Sequence, residues 1–91
     1  MLAEPDSTDN DCYSEGTQYK KAALIQNNKA VVIDNVESPD DCQVECARVT
    51  GCEFWTWRDP TSRIRAKSCW LKRAKGRVGR KKNKISGPKT C

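Results

Sequence analysis

The 91-residue chain contains no histidine. That absence removes the imidazole on which Ser-His-Asp and Cys-His nucleophilic sites depend. It also removes the nitrogen ligand of mixed zinc sites, and no C-x-x-C pair is present to supply a cysteine-only one. There is no Asn-x-Ser/Thr sequon, so N-glycosylation of this segment is not expected. Long apolar runs are missing too. The longest, residues 22–25 and 30–33, are far too short to cross a bilayer, which excludes membrane insertion by a helix. Met1-Leu2-Ala3-Glu4-Pro5-Asp6 has neither the cationic start nor the apolar stretch of a signal peptide. Beyond Asp59 there is no acidic residue at all.

What the chain does have is cysteine: Cys12, Cys42, Cys46, Cys52, Cys69 and Cys91, an even count in a small protein. Such a set reads as a disulfide framework and places the chain in an oxidising, extracellular setting. A chain of this length is one domain with a modest core. Hydrophobic residues make up 36% and the mean hydropathy is −0.84, low for a domain that must hold itself together by burial alone. Cross-links are therefore expected on stability grounds as well. A disulfide-rich domain of this kind, lacking a secretion signal of its own, is expected to be a module of a larger secreted protein. On this reading residues 1–11 are a linker or an expression remnant and residues 12–91 the domain.

The clearest local element starts at Ser38-Pro39-Asp40-Asp41. Serine caps free backbone N–H groups, proline fits the first helical position, and the two aspartates complement the positive end of the helix dipole. The helix is predicted to run to about Thr50, with Gly51 as its left-handed stop. Cys42, Cys46 and Val49 fall at i, i+4 and i+7 and form one inward stripe. Next, Cys52-Glu53-Phe54-Trp55-Thr56-Trp57 reads as a strand, with the two tryptophans on one face and Phe54 and Thr56 on the other. Residues 59–62 form a turn, and Ser68-Cys69-Trp70-Leu71-Lys72 is the partner strand of a hairpin. Residues 18–25 and 30–36 read as two further strands around Asn27-Asn28, and a short strand near Ile85 closes the set. One helix among antiparallel strands defines an α+β domain.

Charge is divided along the chain. Residues 1–59 hold five basic and all twelve acidic residues, whereas residues 60–91 hold twelve basic ones and no acid. The densest group is Lys72, Arg73, Lys75, Arg77, Arg80, Lys81, Lys82 and Lys84. With Gly76 and Gly79 among them, this segment reads as a loop. Flexible Lys and Arg can engage sulfates by charge-assisted contacts, and Arg80-Lys81-Lys82-Asn83-Lys84 is a heparin-type cluster. The extracellular setting favours sulfated glycosaminoglycans over nucleic acid as the polyanion. Trp55 and Trp57 are expected to pack under the helix. Trp70, between Cys69 and Leu71, should point outward, either as a stacking surface for a sugar or protein or as a cover for Phe54. The division of charge also suits docking of one module's acidic half against a neighbour's basic half. Catalysis is not expected: if every thiol is bridged none remains as a nucleophile, and no cofactor is implied.

The run 38–46 (Ser-Pro-Asp-Asp-Cys-Gln-Val-Glu-Cys), followed by Cys52, Phe54-Trp55-Thr56-Trp57, Cys69-Trp70-Leu71-Lys72 and Ser86-Gly87-Pro88-Lys89, resembles the PAN/apple domain. The style is most similar to the tandem apple domains of microneme adhesins in coccidian parasites of the Eimeria type. The resemblance implies a curved antiparallel sheet of about five strands cradling one helix. It also implies three disulfides pairing Cys12–Cys91, Cys42–Cys69 and Cys46–Cys52. The function implied is an extracellular adhesive module contacting protein or carbohydrate on a host-cell surface, secreted through micronemes. Some domains it resembles are galactose-type lectins, whose sugar-binding residues have no assignable counterparts in this sequence. The basic insertion before Ile85 departs from the family pattern, so another member's ligand does not transfer directly.

Overall fold

A computed structural model describes residues 13–90. Their order is β1 (Ser14–Tyr19), β2 (Ile25–Gln26), β3 (Lys29–Ala30), β4 (Val32–Ile33), α1 (Pro39–Arg48), β5 (Phe54–Arg58), β6 (Cys69–Lys72) and β7 (Val78–Pro88). Five strands form one antiparallel sheet in the order β1-β7-β5-β6-β4, and β2 pairs with β3 in a separate hairpin. Among the described residues the α+β class, one helix and an antiparallel sheet are thus as the sequence predicts.

Helix α1 begins as its sequence dictates. Ser38 is the extended N-cap and its Oγ accepts from the Asp41 backbone N–H at 3.1 Å, with Pro39 at the first helical position. The end comes two residues sooner than expected: Val49 is the C-cap, and its N–H donates to the Cys46 carbonyl. Gly51 does adopt the left-handed backbone, at φ +94°, but in the turn beyond the helix. The inward stripe is anchored by two disulfides. Cys42 is bonded to Cys69 on β6 and Cys46 to Cys52, with Cα separations of 5.4 and 5.3 Å. The Cys12–Cys91 pairing and the 1–11 linker lie outside the described residues.

The core sits between α1 and the inner face of the sheet. Trp55, Trp57, Leu71, Leu24 and Val36 surround the two disulfides. Each buried indole N–H has a carbonyl partner, Pro88 for Trp55 at 2.7 Å and Val36 for Trp57 at 2.8 Å, so the bulk of the rings is buried without an orphaned donor.

Two strand expectations are corrected. Residues 18–25 and 30–36 are not two long strands: β1 starts at Ser14 and stops at Tyr19, and the region around Asn27-Asn28 is a two-residue hairpin. Both asparagines have positive φ, 54° and 64°, as a tight hairpin turn requires. The second correction concerns the basic segment. It is no loop, because β7 runs for eleven residues through the middle of the sheet. Its end pairs with β5 from Lys84 to Pro88, while its start pairs with Thr17, Gln18 and Tyr19 of β1. The β1 register jumps between Glu15 and Thr17. Gly16 stands at that jump with φ +69°, a backbone that glycine adopts without strain.

Candidate anion-binding site on the outer sheet face

Strand alternation builds the site. On β5, Trp55 and Trp57 face the core, so Phe54, Thr56 and Arg58 face the other way. Register then selects their neighbours: Lys72 lies opposite Phe54, Trp70 opposite Thr56, Lys84 opposite Arg58, and Ser86 opposite Thr56. All of these share the face remote from α1. Tyr19 closes one side, its backbone N–H donating to Thr56 Oγ1 at 3.1 Å and its ring meeting Phe54 edge-on. Of these, Tyr19, Thr56, Arg58, Trp70, Lys72 and Lys84 line a cavity of about 310 Å³ together with Gln18 and Lys20. Arg58 and Lys84 are also the wall of a second cavity of about 350 Å³, bordered by Arg63, Ile64, Lys81 and Asn83.

The first cavity holds four cations, Lys20, Arg58, Lys72 and Lys84, and no carboxylate lines it. Among the described residues none of the four forms an ion pair; four acids pair with other cations, Asp34 with Arg65, Glu37 with Lys67, Glu45 with Arg48 and Glu53 with Lys89. Arg58 is fixed in place. Its Nη1 donates to the Ile64 carbonyl at 2.8 Å and its guanidinium stands 4.9 Å from the Trp70 ring centroid, while its Nε is buried with no partner among the described residues. Lys84 Nζ donates to Gln18 Oε1 at 2.7 Å. The stem of Lys20 lies across β7, where a β-carbon at Gly79 would stand 2.5 Å from its Cε.

Crowding shows in the proton affinities. Burial, and then Arg58, Lys81 and Lys72, push the Lys84 ammonium down to a pKa of about 8. Burial alone lowers Lys72, and burial followed by Arg65 lowers Arg58. Burial raises the Tyr19 phenol. Unfolded Lys84 keeps its proton up to about pH 10.4, whereas folded Lys84 gives it up from about pH 8. Between these values the unfolded state binds more protons, so stability rises with pH; below them the penalty of the crowded charge is fully present. Urea melts from pH 7 to 10 should show that rise in the wild type and a flatter profile in Lys84→Met, which should also be the more stable of the two at pH 7. Identical profiles would contradict the crowding.

Of the basic residues singled out by sequence, the structure brings only Lys72 and Lys84 into this cavity, with Trp70. Lys72 is not a free surface charge; it is 7% exposed. Arg73, Lys75 and Arg77 sit exposed on the β6–β7 connection, where Lys75 Nζ lies 5.9 Å from the Tyr19 ring. Arg80, Lys81 and Lys82 are exposed along β7. Trp70 does face outward but is half-buried. Its N–H donates to Ser68 Oγ at 2.8 Å, and the guanidiniums of Arg58 and Arg65 lie over its ring. Phe54 meets the Tyr19 ring edge-on. Sequence reasoning missed Arg58 and Lys20. Continuing the Phe54/Thr56 alternation by two residues would have found Arg58; nothing local marks Lys20, which β1 carries in by register. Among the described residues no cluster of metal-ligating side chains occurs, and no helix is long and apolar enough to cross a membrane.

Residues 14–72 match the PAN domain family. The chain therefore belongs to the PAN domains, which are in general protein- or carbohydrate-binding modules of extracellular proteins. The matched span covers β1 to β6 with α1 and stops at Lys72, so β7, with its basic residues, lies beyond it. No curated protein matches the chain.

Proposed function

We propose that this chain is a non-catalytic adhesion module, of the kind carried in tandem by coccidian microneme adhesins, that attaches to host cells through acidic glycans such as sulfated glycosaminoglycans. Its domain would span residues 12–91, as a module of a larger secreted protein. The observation that carries this reading is the distribution of cations. Arg80, Lys81 and Lys82 are exposed on β7, next to a cavity holding four more, and none of these seven is in an ion pair among the described residues. A strand sets its charges at fixed spacing, so less is lost in ordering them than in a mobile loop.

Immobilised heparin and a salt titration test the reading. The wild type should bind with strong salt dependence, and the combined Arg80→Ala, Lys81→Ala, Lys82→Ala, Lys84→Ala variant should bind about tenfold or more weakly. Equal affinity of the two proteins would refute it.

A second reading has its own observation. Asp40 and Asp41 are exposed on α1, on the side of the sheet opposite the cationic cavity, so adjacent modules could meet acid to base. Tandem modules should then be more stable joined than mixed as singles.

A further inference from the structure

We propose that the outer-face cavity ringed by Lys20, Arg58, Lys72 and Lys84 is a subsite for one sulfo group carried on a sugar ring, separate from the exposed cations along β7. This rests on the acidic-glycan reading above and names the group the cavity selects. Four cations arrive there from four strands: Lys20 directly after β1, Arg58 on β5, Lys72 on β6 and Lys84 on β7. Their mutual repulsion has no counter-charge among the described residues, and an incoming anion relieves it. The half-buried Trp70 and buried Tyr19 keep the surroundings less polar than open water, which strengthens the attraction relative to a surface lysine.

The groups are also held before any ligand arrives. Arg58 is fixed by the Ile64 carbonyl and the Trp70 ring, and Lys84 is aimed by Gln18. Binding consequently orders few side chains. At about 310 Å³ the cavity stands at the small end of ligand sites, which run from about 300 to 1,000 Å³, so it has room for one sugar ring. The same geometry favours sulfo over carboxylate. A carboxylate is best met by a guanidinium fork in one plane, but Arg58 holds Nη1 on the Ile64 carbonyl and has its Nε buried out of reach of solvent, so neither fork edge is open. Three lysine ammoniums from different strands instead suit the three divergent oxygens of a sulfo group.

Nuclear magnetic resonance titration with galactose 6-sulfate, galacturonate and galactose tests this on the intact chain. Galactose 6-sulfate should shift the Trp70 indole N–H and the Thr56 and Tyr19 amides saturably; galacturonate should bind about tenfold more weakly and galactose not at all. Lys84→Gln and, at an exposed position that leaves folding untouched, Lys20→Ala should each weaken the sulfated sugar about fivefold or more. The combined Arg80→Ala, Lys82→Ala variant, which leaves Lys81 beside Lys84, should keep its affinity for the monosaccharide while losing much of its heparin binding. Because Lys84 sheds its proton from about pH 8, affinity should fall between pH 7 and 9, and calorimetry in two buffers should register proton uptake on binding near pH 8. The flanking charges that contribute are Arg58, Lys81 and Lys72, while Tyr19 and Lys20 line the β1 side of the cavity. Normal heparin binding with no monosaccharide shifts at the cavity overturns the subsite, as does wild-type affinity in both Lys84→Gln and Lys20→Ala. Monosaccharide binding at the cavity without heparin binding upholds the subsite and removes the glycosaminoglycan reading.

Discussion

Trp55→Ala is expected to lower the unfolding free energy by about 3–5 kcal/mol, the range for deleting a large buried aromatic. The side chain is fully buried. It fills the space between α1 and β5, meets Tyr13 edge-on at 5.1 Å, and its N–H donates to the Pro88 carbonyl. Alanine would leave a cavity next to both disulfides, whose short tethers limit how far α1 can settle into it. For a domain of this size each kcal/mol lowers the melting temperature by about 4–8 °C, so the melt should fall by about 12 °C or more. Trp55→Phe should cost markedly less, because Pro88 keeps a second donor in Gln43 Nε2 at 3.1 Å. Thermal and urea melts followed by near-ultraviolet circular dichroism read both changes. A loss below about 1 kcal/mol for alanine would mean that this indole is not the centre of the core.

The second large effect is the loss of the Cys42–Cys69 bridge. It closes a span of 27 residues, for which the loop-entropy relation gives about 3.5 kcal/mol. Cys46–Cys52 closes a span of 6, worth about 2 kcal/mol on the same relation. Both cysteines of the longer bridge are fully buried, and it joins α1 to β6, elements that no other covalent link holds together among the described residues. Set against a total stability of about 5–15 kcal/mol, the Cys42→Ala/Cys69→Ala protein should lose a large share of its stability and melt well below the Cys46→Ala/Cys52→Ala protein. The Cys46→Ala/Cys52→Ala protein should remain folded. Calorimetry on the two double variants decides the matter, and equal melting temperatures would sink the loop-length argument.

Much of the scaffold was legible because its signals are local. The cap at Ser38, the proline after it and the i, i+4 spacing of Cys42 and Cys46 lie within a few residues of one another, and helix geometry does the rest. The tryptophan alternation of β5 was readable for the same reason, since burial on one face leaves a period-two pattern. Strand β7 gave no such pattern. From Val78 to Lys84 it is largely exposed, so nothing selected apolar residues at alternate positions, and Gly76 and Gly79 looked like loop punctuation. One of them is: Gly76 turns the chain at φ +63°. Gly79 instead sits within the strand, opposite Gln18 and under the stem of Lys20.

The sequence by itself determined the class of the domain, its helix, the face of β5 that is buried, and the excess of positive charge after Asp59. These follow from capping, periodicity and composition, which depend on near neighbours or on none. Only the tertiary structure decided which cations act together. Lys20, Arg58, Lys72 and Lys84 are spread over 65 positions of the chain. They meet because β7 enters between β1 and β5 and the register sets Lys84 opposite Arg58. A strand pairing one residue out of step would turn Lys84 to the core face and dissolve the cluster, and no stretch of sequence encodes that register on its own.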